Sequence, residues 1–163
     1  MKSVVLLSHA KTSKKDAAVS DDMRPLSVSG KNEVYKIGKF IKNTKLFPSL
    51  IISSTAKRAK DTSDILAESI CYKKEIQLSE LLYETIPKNY IDVISKISND
   101  VNIVLLVRRN PILENLIELI KNELIIMENC SLVHIILPIT NWMKIKTNPK
   151  GRLIKLVTIK ELI

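Results

Sequence analysis

Two short apolar runs punctuate the chain, and each empties onto a polar cluster. Residues 4–7 (VVLL) run into Ser8, His9, Ala10 and Lys11, and residues 101–107 (VNIVLLV) run into Arg108, Arg109, Asn110 and Pro111. An apolar run of this length, bounded by a polar break, predicts a strand buried on both faces. A third run, residues 50–52, stops at Ser53 and Ser54. Between the runs, apolar positions recur every three or four residues, the period of a helix. Val34, Ile37 and Ile41 mark one helix, with Ser27 and Ser29 as candidate caps. Residues 56–69 predict a second, turning Ala59, Ile65, Leu66 and Ile70 toward a core. Residues 75–78 predict a short strand. Pro87 opens a third helix, where its missing N–H does no harm, and Tyr90, Val93, Ile94 and Ile97 form its stripe. Residues 110–126 predict a fourth, burying Leu113, Leu116, Ile117, Ile120 and Leu124. Residues 132–137, 141–146 and 153–158 predict strands, the last two joined by the turn cluster Asn148, Pro149, Lys150 and Gly151.

Strands alternating with helices predict an α/β fold, a three-layer α/β/α sandwich. Its central sheet is mostly parallel and flanked by helices, with antiparallel strands added late. A chain of 163 residues without a repeat or linker leads to the expectation of one domain over residues 1–163. No apolar stretch reaches the roughly 18–20 residues that span a bilayer, so no membrane partner is expected. Lys2 precedes only a short apolar run with no small-residue cleavage site, which argues against a signal peptide. Cys71 and Cys130 are too few and too far apart for a disulfide framework or a metal cluster, and a cytoplasmic location is expected.

Charge changes the picture. Lys and Arg number 26 against 17 Asp and Glu, a net charge of +9. The lysines are scattered and aromatics make up only 4%, too few for a base-stacking platform, so no nucleic-acid partner is expected. A basic pocket for anionic phosphate uses the same charge. His9, one of 2 histidines, stands at a strand's carboxyl end, where open α/β sheets bind ligands. Arg58 follows a serine-rich turn at a helix start, which offers N–H groups and a dipole to an anion. His134, inside the apolar segment SLVHIILP, reads as a core or sheet-face residue. Lys11, Lys14 and Lys15 read as a solvated basic loop able to steer an acidic phosphoprotein.

One ordered set of segments runs almost end to end. It comprises Leu7-Ser8-His9-Ala10-Lys11, then Asp21-Asp22-Met23-Arg24-Pro25-Leu26-Ser27 with Gly30, then Ser53-Ser54-Thr55-Ala56-Lys57-Arg58-Ala59 with Thr62. Leu82-Tyr83-Glu84, Val107-Arg108-Arg109-Asn110-Pro111, Trp142 and the final Thr158-Ile159-Lys160-Glu161-Leu162 complete it. The set resembles the histidine phosphatase (phosphoglycerate mutase-like) superfamily, and within it the SixA-type phosphohistidine phosphatases. The resemblance implies a catalytic His9 that becomes transiently phosphorylated and a catalytic Arg58 that clamps the phosphoryl group. It places Arg24 near the pocket and makes Glu84 the candidate acid. It also implies that neither a metal nor an organic cofactor is needed. Two positions depart from the family pattern: its first arginine is Ser8 here, and its second histidine is Arg109, preceded by Arg108 in place of glycine. By position, the phosphate-binding set is therefore Ser8, His9, Arg24, Arg58 and Arg109.

Losing a charge-assisted contact at position 8 removes about 1.5–3 kcal/mol. A similar loss at position 109 would slow catalysis by roughly 10²- to 10⁴-fold in all. A phosphohistidine leaves as imidazole, a better leaving group than an alkoxide, so it needs less help from an acid. The expected function is a SixA-like phosphatase, of residual or rewired activity, that acts on phosphohistidine or another phosphorylated protein or small molecule. The alternative is an inactive pseudophosphatase that binds phosphate or a phosphoprotein.

Overall fold

The computed structural model describes residues 1–162; Ile163, the last residue of the expected domain range, lies outside the described residues. Six strands form one sheet in the order β3-β2-β4-β1-β5-β6. They are β1 (Lys2–Ser8), β2 (Leu50–Ser54), β3 (Gln77–Ser79), β4 (Ile103–Arg108), β5 (Leu132–Leu137) and β6 (Arg152–Val157). The first four run parallel, and β5 and β6 are antiparallel, as the late change of pattern predicts. Central β1 and β4 pair in register from Ser3↔Ile103 to Ser8↔Arg108.

Alternate residues of each central strand enter opposite core layers, the consequence of a two-residue period. Val5, Leu7, Ile51, Leu105 and Val107 face α1 (Val28–Thr44) and α2 (Lys57–Ser69), meeting Val34, Ile37, Ile41, Ala59 and Leu66. Val4, Leu6, Ile52, Val104 and Leu106 face α3 (Pro87–Ser95) and α4 (Ile112–Lys121), meeting Tyr90, Ile94, Leu113, Leu116 and Ile120. The strands that read as continuous apolar runs are therefore covered on both faces. Ser27 caps α1 by accepting from the Gly30 N–H at 3.0 Å. Gly30 is required by close approach: a Cβ there would stand 2.1 Å from the Lys11 carbonyl oxygen.

Three expected elements differ. Residues 141–146 do not form a strand. Trp142–Lys146 is a 3-10 helix, capped by the Asn141 side chain accepting from the Met143 N–H at 2.9 Å. Its buried residues, Trp142 and Ile145, are spaced by three, the 3-10 period, and the Trp142 indole donates to the Val101 carbonyl at 2.9 Å. Helix α4 ends at Lys121 because Asn122 adopts the left-handed conformation (φ 61°), which leaves Leu124 61% exposed instead of buried. The short strand lies at Gln77–Ser79, two residues later than its apolar content suggests. No helix among the described residues is long and apolar enough to cross a membrane.

Candidate functional site

Parallel pairing of β2, β4 and β1 brings three carboxyl ends side by side. His9 leaves β1, Ser54 and then Arg58 leave β2, and Arg108 and Arg109 leave β4. The His9 main chain is held on both sides: its N–H donates to the Arg108 carbonyl at 2.8 Å, and its carbonyl accepts from Cys130 N–H at 3.0 Å. The half-buried ring sets Nδ1 2.8 Å from the Ala10 carbonyl oxygen. A carbonyl can only accept, so this contact assigns the proton to Nδ1 and leaves the Nε2 lone pair free. Burial pushes the His9 pKa below 6.5; the Ala10 carbonyl opposes that, and the fields of Arg58, Arg24 and Arg109 add to it.

Arg58 lies in the first turn of α2 and is only 3% exposed. The Thr62 hydroxyl donates to the Arg58 carbonyl at 2.7 Å and accepts from the Ala10 N–H at 3.2 Å, joining α2 to the segment after β1. The Arg58 guanidinium is gripped by one residue at two points. Nη1 donates to the Asp21 carbonyl at 2.6 Å and Nη2 to the Asp21 carboxylate at 3.0 Å. Asp21 opens a 3-10 turn, Asp21–Met23, in the loop between β1 and α1.

Arg24 and Arg109 are both half-buried, and each has a buried Nε without a hydrogen-bond partner among the described residues. Arg108 is 1% exposed. Its guanidinium donates to the carbonyls of Tyr83 and Glu84 and packs 5.3 Å from the centre of the Tyr90 ring, and its Nε is also unpartnered. No carboxylate pairs with it among the described residues. Burial, then the fields of Arg109 and Arg58, push its pKa down to about 10. A charge this buried is tolerated only with hydrogen bonds, here two carbonyls and an aromatic face. Arg58, Arg108 and Arg109, with Ser54, Ala56, Ala59 and Tyr83, line a narrow crevice too tight to hold a water molecule; His9 is not among its lining residues.

Two of the sequence-selected residues turn away from this cluster. The Ser8 hydroxyl donates to the Glu128 carbonyl at 2.7 Å and accepts from the Ser131 N–H at 3.0 Å, so it tethers residues 128–131. The Glu84 side chain is exposed and accepts from the Asn89 amide at 2.7 Å; only its main-chain carbonyl reaches Arg108. His134 hydrogen-bonds Ser3 across the sheet at 3.1 Å, far along the strands from the cluster. Sequence reasoning assigned no role to Asp21, whose partner lies 37 residues away; its place three residues before Arg24 was the available signal. Among the described residues no three His, Cys, Asp or Glu side chains converge as metal ligands would.

This arrangement of strands is shared with solved phosphatases. The chain superposes on the protein histidine phosphatase SixA, determined in complex with tungstate, with a TM-score of 0.84 at 17% identity over 99% of each chain. The fold is that of SixA. A protein described as the phosphohistidine phosphatase SixA of Agrobacterium tumefaciens aligns over 96% of this chain and 97% of its own, with a TM-score of 0.81 and 23% identity. A mycobacterial glucosyl-3-phosphoglycerate phosphatase shares the SixA-like fold with a TM-score of 0.71 at 15% identity, over 93% of this chain and 96% of its own. No family model matches the chain. An uncharacterised chloroplastic protein of Arabidopsis thaliana is 36% identical over 59 residues, which span 36% of this chain and 27% of that protein.

Proposed function

We propose that the chain is a phosphatase that removes phosphate from a phosphohistidine, or from another phosphorylated protein or small molecule, through a phospho-His9 intermediate. The observation that carries this reading is the His9 imidazole at the carboxyl end of β1, whose Nδ1 lies 2.8 Å from the Ala10 carbonyl and whose pKa is lowered by burial and by the fields of Arg58, Arg24 and Arg109. A histidine nucleophile needs a free lone pair, and the surrounding guanidinium groups suit the oxygens of a transferring phosphoryl group. In the first step Nε2 attacks phosphorus as the bond to the leaving group breaks. In the second, water attacks the phosphoryl group and the P–N bond breaks. Arg109 supplies charge where the family pattern has a histidine, and it cannot act as an acid near neutral pH. An imidazole leaving group suits a site whose sequence-selected candidate acid, Glu84, is engaged by Asn89. The SixA-like fold supports a phosphorylated partner. Two free cysteines support a reducing, cytoplasmic setting.

The test compares the protein with His9→Ala on a histidine-phosphorylated protein and on an aryl phosphate. Turnover should vanish in the variant; equal turnover in both would defeat the reading. A second reading, an oxyanion-binding protein without turnover, is favoured by Ser8, whose hydroxyl faces the 128–131 segment and leaves position 8 with no charge. Tungstate binding without phosphate release in the unmodified protein would select it.

A further inference from the structure

Hydrolysis of a phospho-His9 requires a water molecule to be oriented and to lose a proton. Among the carboxylates near the arginines, Glu84 bonds Asn89 through Oε2 and is exposed, whereas Asp21 points its carboxylate at Arg58. The two-point grip on Arg58, through the main-chain carbonyl and Oδ2, fixes the orientation of that carboxylate. Its Oδ1 has no hydrogen-bond partner among the described residues. The side chain is 56% exposed, so water reaches it, while the Arg58 side chain beneath it is 4% exposed. Partial burial pushes the Asp21 carboxyl up, but the Arg58 guanidinium and, behind it, Arg24 and Arg109 hold it below the usual carboxylate value. These three cations are the ones that His9 also feels. The guanidinium assigned to the phosphoryl oxygens thus carries an ionised carboxylate 3.0 Å away on its solvent side.

We infer that Asp21 is the general base of the dephosphorylation half-reaction, an assignment that rests on the phospho-His9 reading above. Water forms the new O–P bond and the P–N bond to His9 breaks. The electron pair returns to Nε2, and the proton of the water passes to Asp21 Oδ1 and then to solvent. Inorganic phosphate departs from the arginines. Because the transition state is loose, the carboxylate acts largely by orienting the water, and the effect sits at the low end of general-base catalysis.

The decisive variant is Asp21→Asn, which keeps a carbonyl acceptor for Arg58 and removes the base. With a histidine-phosphorylated protein carrying radiolabelled phosphate, label should accumulate on the Asn variant and decay about 10- to 100-fold more slowly than on the unmodified chain. Tungstate affinity should hold or rise, because a negative charge has left the cluster; a merely structural role in placing Arg58 would weaken it. Asp21→Glu, which returns a carboxylate, should recover part of the rate. Decay of the Asn variant at the unmodified rate overturns the assignment alone, as do Asn and Glu variants that are equally slow. Failure of the unmodified protein to take up label on His9 overturns the phosphatase reading and this assignment together.

Discussion

At the scale of single residues, the cluster is organised by what each buried polar group is given to hold. The Nδ1 proton of His9 has the Ala10 carbonyl, and Arg108 has two carbonyls and a ring, but the Nε atoms of Arg24, Arg108 and Arg109 have no partner among the described residues. His9 is consequently favoured in its neutral form. An imidazole whose pKa is lowered by folding contributes stability above its unfolded value near 6.5, and that contribution fades as pH falls through the folded value. Titration followed by NMR should place His9 below 6.5 and move it upward when phosphate or tungstate binds. Acidification from about pH 6.5 to 5 should destabilise the protein more than a His9→Gln variant. A His9 resonance titrating above 6.5 in the free protein would contradict the proposed environment. The strand-end position of His9 is legible in the sequence because an apolar run points straight at it. The side-chain choices of Ser8, Glu84 and Arg108 are not, because each binds a segment between 24 and 123 residues distant or turns to a local amide instead.

At the scale of elements, the loop that carries Asp21 and Arg24 is fastened between β1 and α1. Ser27 N–H donates to the Lys11 carbonyl at 2.9 Å, Ser13 N–H to the Pro25 carbonyl at 3.0 Å, and Gly30 packs directly on Lys11. A Gly30→Ala substitution must therefore displace main chain two residues beyond His9. It should destabilise the fold by about 1–3 kcal/mol, read from urea denaturation. Unchanged stability would mean that α1 can slide at this contact. Helices α1, α2 and α3 are legible because their apolar residues keep the helical period over two turns or more. The 3-10 segment Trp142–Lys146 is not: over five residues an alternating pattern and a period of three are nearly indistinguishable, and only the Asn141 cap separates them. The end of α4 depends on one left-handed residue, Asn122, while the apolar pattern runs past it to Ile126.

At the scale of the whole molecule, three of the basic residues, Arg58, Arg108 and Arg109, converge at the carboxyl ends of β2 and β4. A +9 chain with unpartnered guanidinium nitrogens beside one imidazole should be stabilised by small oxyanions. At a hundredfold excess over its dissociation constant, tungstate should add about 2.7 kcal/mol, or a rise in Tm of about 5–10 °C. Arg58→Ala should abolish most of that rise, and an equal shift in both proteins would place the anion elsewhere. The sandwich architecture is legible from element order alone, because parallel strands separated by helices admit few arrangements. The shared hydroxyl of Thr62 adds something that element order does not contain. Bonded to the Ala10 amide on one side and the Arg58 carbonyl on the other, it works as a caliper across two separate parts of the backbone. Helix α2 cannot drift from the sheet without breaking a buried bond, so the frame around the proposed anion site behaves as a fixed jig. Accommodation then belongs to the guanidinium rotamers and the Asp21 turn, which are the places where differences between ligands should be felt.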